Sequence, residues 1–337
     1  MNTQTLSLTQ VEDLTRRALS ACGAKGAQLD WVVKSVVDAE CDGIRTVGLS
    51  YLPLYCGHLQ VGKLNKDAQP SHQKIAPSVI EVNADRGYAH AGFASAEQEF
   101  YALVKQQGIA CMSIVESYTA GVLGWFVQRI AESNLIGIGF ANSPSAVAPA
   151  PGASAFFGTN PMAFSVPRSE GSPIIADMAT SQVALVTIKK AAAEGQPIPL
   201  GWGYDNKGEL TTDAAAVING GSLAPAGGYK GFLLGLLVDV LAGVIAGPNC
   251  SFTAPVFKNN DGGEPRVGQF FMAISPEAFG SGADYSKRLE TLLTALSEEP
   301  GVRLPGDRRH TFRQQAQKVG VEVPQDLIDK LEAFARG

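Results

Sequence analysis

Between Pro151 and Ser181 the chain carries two short apolar runs, each framed by turn residues, and this arrangement limits what the surrounding sequence can build. Gly158-Thr159-Asn160-Pro161 sets a glycine able to take positive φ and an Asn-Pro step before the run Met162 to Val166, forcing a tight turn into a strand. Asp177-Met178-Ala179-Thr180-Ser181 closes a second strand, Pro173 to Ala176, with an acid, small residues and hydroxyls. Turn backbone of this kind approaches a ligand closely and offers N–H groups to phosphate or carboxylate. An ordinary hairpin uses the same residues, and spacing alone does not separate the two readings.

The flanking sequence reads as α/β. Thr9 with Glu12 makes a capping box for a helix ending at Gly23, and Leu29, Val33, Val36 and Val37 stripe a second helix that stops at Asp42-Gly43. Tyr51, Leu52, Tyr55 and Leu59 fall on a third. From Lys74 strands and helices alternate: Val79 to Val82, a helix capped by Ser95 and running to Gln107, Ile109 to Val115, Val122 to Glu132, then Leu135 to Phe140. A helix from Thr180 to Gly195 follows, and Gly227-Gly228-Tyr229-Lys230-Gly231 opens an apolar run, Phe232 to Ala246. That run is shorter than the roughly 20 residues of a membrane span and contains Asp239, so it is expected to be a buried helix. A lysine at its N-terminus is placed to meet an anion. Gln269 to Ser275 returns as a strand, and Tyr285 to Leu296 and Pro324 to Ala335 as helices. The alternation predicts a central sheet flanked by helices.

Several classes are excluded or disfavoured. A net charge of −5 argues against nucleic acid, and Met1 to Thr9 has neither a basic nor an apolar leader region. The five cysteines show no CxxC pair and read as free thiols of a reducing compartment. His58, His72, His90 and His310 share no metal-ligand spacing, so no metal is expected. His90 reads as a surface or satisfied loop histidine, with a cleft position as the alternative. Gly137-x-Gly139 lacks the third glycine of a dinucleotide fingerprint. Arg303, Arg308 and Arg309, around Leu304-Pro305-Gly306-Asp307, fit either a phosphate grip or a solvated basic turn.

Taken together and in this order, GTNP at 158–161, DMATS at 177–181, GGYKG at 227–231 and LPGDRR at 304–309 resemble the type 2 malate/L-lactate dehydrogenase family. That family includes ureidoglycolate, sulfolactate and diketogulonate dehydrogenases and the reductases of cyclic imino acids. The resemblance implies a non-Rossmann α/β fold with a mixed central sheet flanked by helices and a helical layer built from both termini. It places a helical packing and dimerisation domain at 1–73 plus 284–337 and a cofactor- and substrate-binding domain at 74–283. It further implies a cytoplasmic homodimer using NADPH, with NADH as the alternative. Asp177, Met178, Ala179, Tyr229, Lys230, Arg303, Asp307, Arg308 and Arg309 would contact the cofactor, and Thr159 the substrate.

The catalytic region departs from the family pattern. Where Ser-His-Gly followed three residues later by Arg is usual, this chain has Thr46-Val47-Gly48 and then Tyr51. A second family histidine, in an Asn-Ser-x-His segment, aligns with Glu116-Ser117-Tyr118-Thr119, and Thr187 stands where relatives place Lys or Asp. Reducing a 2-keto acid needs a group that delivers a proton, a contribution of about 10²- to 10⁴-fold. A cyclic imine can arrive already protonated as its iminium, so that hydride alone completes its reduction. The leading expectation is therefore an NAD(P)H-dependent reductase converting Δ1-pyrroline-2-carboxylate to proline, with the Δ1-piperideine homologue as a second substrate. Thr46, Tyr118 and Thr187 are the catalytic candidates, and Arg45, Tyr51, Thr119 and Thr159 the candidates for binding a small cyclic imino acid. The alternatives are a 2-hydroxy-acid dehydrogenase with its donor relocated to Tyr118 or His90, and a silent nucleotide-binding homologue. No membrane partner is expected.

Overall fold

The structure is a computed structural model describing residues 2–257, 259–279 and 282–337. It opens with a short strand, β1 (Thr3–Leu6), and three helices, α1 (Leu8–Ala21), α2 (Gly26–Cys41) and α3 (Leu52–Val61). The cap of α1 is Ser7 rather than Thr9. Gln10 N donates to Ser7 Oγ at 3.2 Å and Ser7 N to Gln10 Oε1 at 2.8 Å, so the box closes two residues earlier than expected, directly after β1.

Next come β2 (Ser71–Ala76), β3 (Val79–Asn83), α4 (Ala89–Gln107), β4 (Ile109–Ser117), α5 (Leu123–Glu132), β5 (Ile136–Ala141), β6 (Met162–Val166) and β7 (Ile174–Met178). Ser95 does not cap α4. It lies within the helix and donates to Gly92 O at 2.7 Å, while Ala89 begins the helix with its N–H held by Thr119 O. A small excursion, α6 (Leu185–Ala193), β8 (Gly203–Tyr204), α7 (Ala214–Ile218) and β9 (Ser222–Leu223), leads to α8 (Tyr229–Val238), which continues as a π-helical turn over Asp239–Ile245. Then follow β10 (Val267–Ile274), α9 (Tyr285–Glu298), α10 (Asp307–Val319), β11 (Val321–Pro324) and α11 (Gln325–Arg336).

Seven strands form one mixed sheet in the order β2-β3-β4-β10-β5-β6-β7. Only β3 and β4 are parallel, joined across α4; the other neighbours are antiparallel. Strand β10 comes from late in the chain and inserts between β4 and β5, with Phe271 opposite both Met112 and Gly139. Its side chains alternate in the way a strand between two layers requires. Phe271 is fully buried against Phe93 of α4 and Phe126 of α5, whereas Phe270 joins Val238 and Ala242 on the opposite face. Burying a side chain of that size stabilises by about 1.5–3 kcal/mol.

A second core lies in the helical layer. Val11, Leu14 and Ala18 share one face of α1 and pack with α2, α3, α11 and the antiparallel β1–β11 ribbon. Helix α10 docks on α2 through Arg313, which pairs with Asp38 at 3.1 Å and Asp42 at 2.8 Å. Helix α9 lies elsewhere: Leu289 and Leu293 pack on Ile174, Phe164 and Val166 of the β6–β7 edge, and Arg168 grips Glu290 at 2.6 Å.

The apolar run 232–246 is helical, yet it is not buried. Leu233, Leu234, Leu236, Leu237 and Val240 are exposed, and Val244 is 65% exposed. One face packs on the sheet through Val238 and Ala242, and the rest lies open. The sequence is apolar all round, so periodicity could not show which face the fold would cover. Among the described residues no helix is long and apolar enough to cross a membrane, and no cluster of three His, Cys, Asp or Glu could hold a metal.

Candidate active site

All four sequence words meet at the end of β7. Asp177 Oδ2 accepts from Gly124 N, at the start of α5, at 2.8 Å and lies 3.5 Å from Arg309 Nη2. Pro305 O accepts from Ile175 N at 3.2 Å, which lays the 304–309 turn along the same strand. Thr159 O accepts from Thr180 N at 2.9 Å and from Thr180 Oγ1 at 3.1 Å, joining the 158–161 turn to the 177–181 segment. Ala226 N donates to Thr180 O, and Gly227 N to the Gln182 amide oxygen, which fixes the glycine pair ahead of α8. Residues far apart in sequence are thus assembled by backbone hydrogen bonds, the interactions that turn residues make available.

Asn160 locks this assembly from below. It is fully buried with φ +37°, a conformation asparagine tolerates better than most residues. Its Nδ2 donates to Gly235 O at 3.1 Å, and Ser251 Oγ lies between Asn160 Oδ1 at 3.0 Å and Asp239 Oδ1 at 2.7 Å. Helix α8, its π-helical continuation and the Thr159 turn are therefore one polar unit. Neither Asp239 nor Ser251 stands out in the sequence, because their partners lie many residues away.

The electrostatics at this corner favour an anion. Burial pushes the Asp177 carboxyl upward, and the Arg309 charge and the Gly124 N–H offset part of that. Arg309 Nη1 is buried without a partner. Gly124 makes room for it, since a Cβ there would fall 2.5 Å from Arg309 Nη1. Met178, Tyr229, Lys230 and Arg303 are exposed, and Ala179 and Asp307 are half-buried. Arg308 is exposed and stacks its guanidinium 5.2 Å from the Phe312 ring.

The side expected to face the substrate is built differently. Segment 118–124 runs from α3 at one end to Asp177 at the other: Gly121 lies beside Tyr55 and His90, and Gly124 on Asp177. Gly121 has φ +60°, and the position its Cβ would take is 3.4 Å from Tyr55 Oη and 3.7 Å from His90 Nε2. Thr119 is half-buried and accepts from Gly121 N at 3.3 Å. Tyr51 is half-buried with its ring 5.4 Å from Tyr55, and Val47 packs against the sheet core. Arg45 and Thr46 are exposed on the turn, beneath which the buried Glu40 carboxylate accepts from Leu49 N at 2.7 Å. Burial pushes Glu40 upward, the Leu49 N–H opposes this, and the Arg45 charge opposes it further.

Three expectations are corrected here. Tyr118 is not a free proton donor: it is fully buried and its hydroxyl lies 2.6 Å from His58 Nδ1. His58 Nε2 contacts Asn259 O at 3.0 Å, and only a donor can bond a carbonyl, so Nδ1 is the acceptor and Tyr118 donates to it. Thr187 is exposed on α6, which packs against α7. His90 is neither a surface nor a satisfied histidine. It is buried among Trp125, Phe126 and Tyr88 with neither ring nitrogen partnered, and burial, helped by the Arg129 charge, pulls its pKa to about 3. Tyr55, His58 and Gly121 were missed, since nothing local ties residue 58 to 118 or 55 to 121.

A family model described as malate/L-lactate dehydrogenase matches residues 6–332. The chain belongs to the malate/L-lactate dehydrogenase family. Among its relatives, a (2R)-3-sulfolactate dehydrogenase (NADP(+)) of Chromohalobacter salexigens is 37% identical over 98% of each chain. A Delta(1)-pyrroline-2-carboxylate reductase of Ancylobacter novellus is 35% identical over 98% of this chain and 97% of its own. The solved delta1-piperideine-2-carboxylate reductase of Pseudomonas syringae superposes with a TM-score of 0.93 at 32% identity, covering 98% of this chain and 99% of that one. The non-Rossmann mixed-sheet fold expected from the four words is the fold of these dehydrogenases, and the chain is a member of an oxidoreductase family.

Proposed function

We propose that the chain is an NAD(P)H-dependent reductase of a cyclic imine, with Δ1-pyrroline-2-carboxylate, and so proline formation, as the first candidate and the Δ1-piperideine homologue as the second. One observation carries this reading: among the described residues, the positions where the family pattern or the sequence would look for a proton donor do not offer one. Val47 has no proton, the Tyr118 proton is directed at His58, and His90 stays neutral down to about pH 3. Names of relatives at 32–35% identity support the same substrate class.

The residues of the cofactor corner fit a dinucleotide. Arg309 Nη1 offers a buried donor that lacks a partner, and the exposed Arg303 and Arg308 have no acidic partner among the described residues. That free positive charge favours NADPH over NADH, because it would meet the extra phosphate. Once bound, the reduced nicotinamide supplies the hydride. Asp177 orients Arg309 and the start of α5, the Thr159 turn presents its hydroxyl toward substrate, and the wall around Tyr51 and Tyr55 excludes water.

The exposed apolar face of α8 supports a homodimer, since monomeric soluble proteins rarely leave so large an apolar patch open. Light scattering should give twice the chain mass, and Leu236→Asp should halve it; a monomeric wild type would contradict the dimer. A second reading, a 2-hydroxy-acid dehydrogenase, is favoured by the sulfolactate relative. NADPH consumption separates the two. Rapid turnover of the imine with little turnover of pyruvate or 2-oxoglutarate supports the imine reductase, and the reverse supports the dehydrogenase.

A further inference from the structure

Two largely buried carboxylates, from two layers of the fold, hold the same pair of helices. From the sheet, Asp177 of β7 accepts the N–H of Gly124 at the start of α5 and faces Arg309 in the first turn of α10. From the helical layer, Asp38 of α2 takes the next residue of α5 and the next turn of α10. Its Oδ2 accepts from Trp125 Nε1 at 2.9 Å, and its Oδ1 from Arg313 Nη1 at 3.1 Å. Arg309 and Arg313 are four residues apart and so share one face of α10.

The Asp38 end of this circuit is stiff. Lys34, one turn back on α2, pairs with Asp38 at 2.9 Å, and Arg313 continues to Asp42 at 2.8 Å. The Arg129 guanidinium lies 4.7 Å from the Trp31 ring of α2 and 4.9 Å from the Trp125 ring, with its charge on Glu97, which pins the indole that carries the donor. Burial pushes the Asp38 carboxyl upward, but the Lys34 and Arg313 charges and the Trp125 N–H outweigh it, so the group is ionised at neutral pH. The Asp177 end has little tolerance: Arg309 lies 3.5 Å from Asp177, and a Cβ on Gly124 would fall 2.5 Å from Arg309 Nη1. Such a fit depends on the spacing of α5 and α10.

We infer that Asp38 is a positioning residue for the cofactor corner: through Trp125 and Arg313 it sets the spacing of α5 and α10, and with it where Gly124 and Arg309 stand at Asp177. The inference rests on the reading of that corner as the NAD(P)H site. Asp38 acts through the two helices and not on the nucleotide. The sign of its effect separates this role from plain charge. By Coulomb's law alone, neutralising a carboxylate near an anion site tightens anion binding, whereas loosening the α5–α10 pair weakens it.

The test is the Kd of the protein for NADPH by fluorescence titration, at a temperature where thermal unfolding shows each variant to be folded. Asp38→Asn should raise Kd about tenfold, and an unchanged or lower Kd overturns the inference. Arg313→Lys keeps the net charge but loses the fork that spans two carboxylates; it should raise Kd by about threefold or more, and wild-type affinity would contradict the role. Because Asp38 and Asp177 act on one helix pair, the Asp38→Asn/Asp177→Asn double variant should fall short of the product of the two single factors by about threefold or more. A product reached in full makes the two sites independent and overturns the inference, leaving the cofactor reading standing. A wild-type protein that does not bind NADPH overturns both.

Discussion

The two sides of this site hold their charge in opposite ways. At the cofactor corner, Arg303, Arg308 and Lys230 are exposed without acidic partners among the described residues, and Arg309 keeps one nitrogen free. Around α3 and the 118–124 segment, by contrast, Lys63 is spent on three carbonyls, Arg266 on Glu116 and Arg129 on Glu97, while Arg45 lies exposed on its turn. The first offers unpaired positive charge, while most of the second's is already held by the protein's own groups. Under the proposed function, the family framework keeps its cofactor chemistry while the side chains of the proposed substrate wall change character.

The largest effect that would sharpen this contrast lies beneath the cofactor corner. Asn160→Ala removes the centre of a fully buried network and leaves Ser251 and Gly235 O without that partner; urea unfolding should show a loss of about 3 kcal/mol. Nearly as large is a pH effect on the substrate side. His90 has an ordinary value of 6.5 and a folded value of about 3, so the unfolded chain binds the extra proton between these limits and stability falls as pH falls. Each pH unit is worth about 1.4 kcal/mol, so about 3 kcal/mol is lost between pH 6.5 and pH 4. His90→Leu should remove that part of the acid limb; an unchanged limb would show that the imidazole is solvated.

Smaller still, Asp177→Asn should weaken NADPH binding about 10- to 100-fold by fluorescence titration, since Arg309 and Gly124 lose a charged partner. Unchanged affinity would dissolve the cofactor corner as drawn. Tyr118→Phe should leave imine turnover within about threefold, below 1 kcal/mol, while costing about 1–2 kcal/mol of stability because His58 Nδ1 loses its donor. Thr187→Ala should change neither by a measurable amount.

The same contrast explains what could be read from the sequence. Turn words depend on local backbone chemistry, so Gly158-Thr159-Asn160-Pro161 and Asp177 to Ser181 announced themselves, and the fold joins them by a Thr180 N–H to Thr159 O bond. The alternation of strands and helices predicts a central sheet flanked by helices, and the family resemblance its mixed character, but neither shows the insertion of β10 between β4 and β5, a pairing across more than a hundred residues. The substrate wall is made of long-range side-chain contacts: Tyr118 with His58, Gly121 with Tyr55, Asn160 with Ser251. No spacing rule encodes them. Tyr118 looked free because its partner was sixty residues away, and His90 looked like an ordinary loop residue because burial is a property of the whole fold.

The most direct test of the central claim, that the protein brings no proton to the reaction, is the pH dependence of kcat/KM for Δ1-pyrroline-2-carboxylate. The account predicts one limb, falling about tenfold per pH unit above the titration of the free imine and identical in Tyr118→Phe. A second limb set by an enzyme group, or a bell whose high-pH side moves with a tyrosine or histidine substitution, would mean that the chain supplies the acid and would contradict the account.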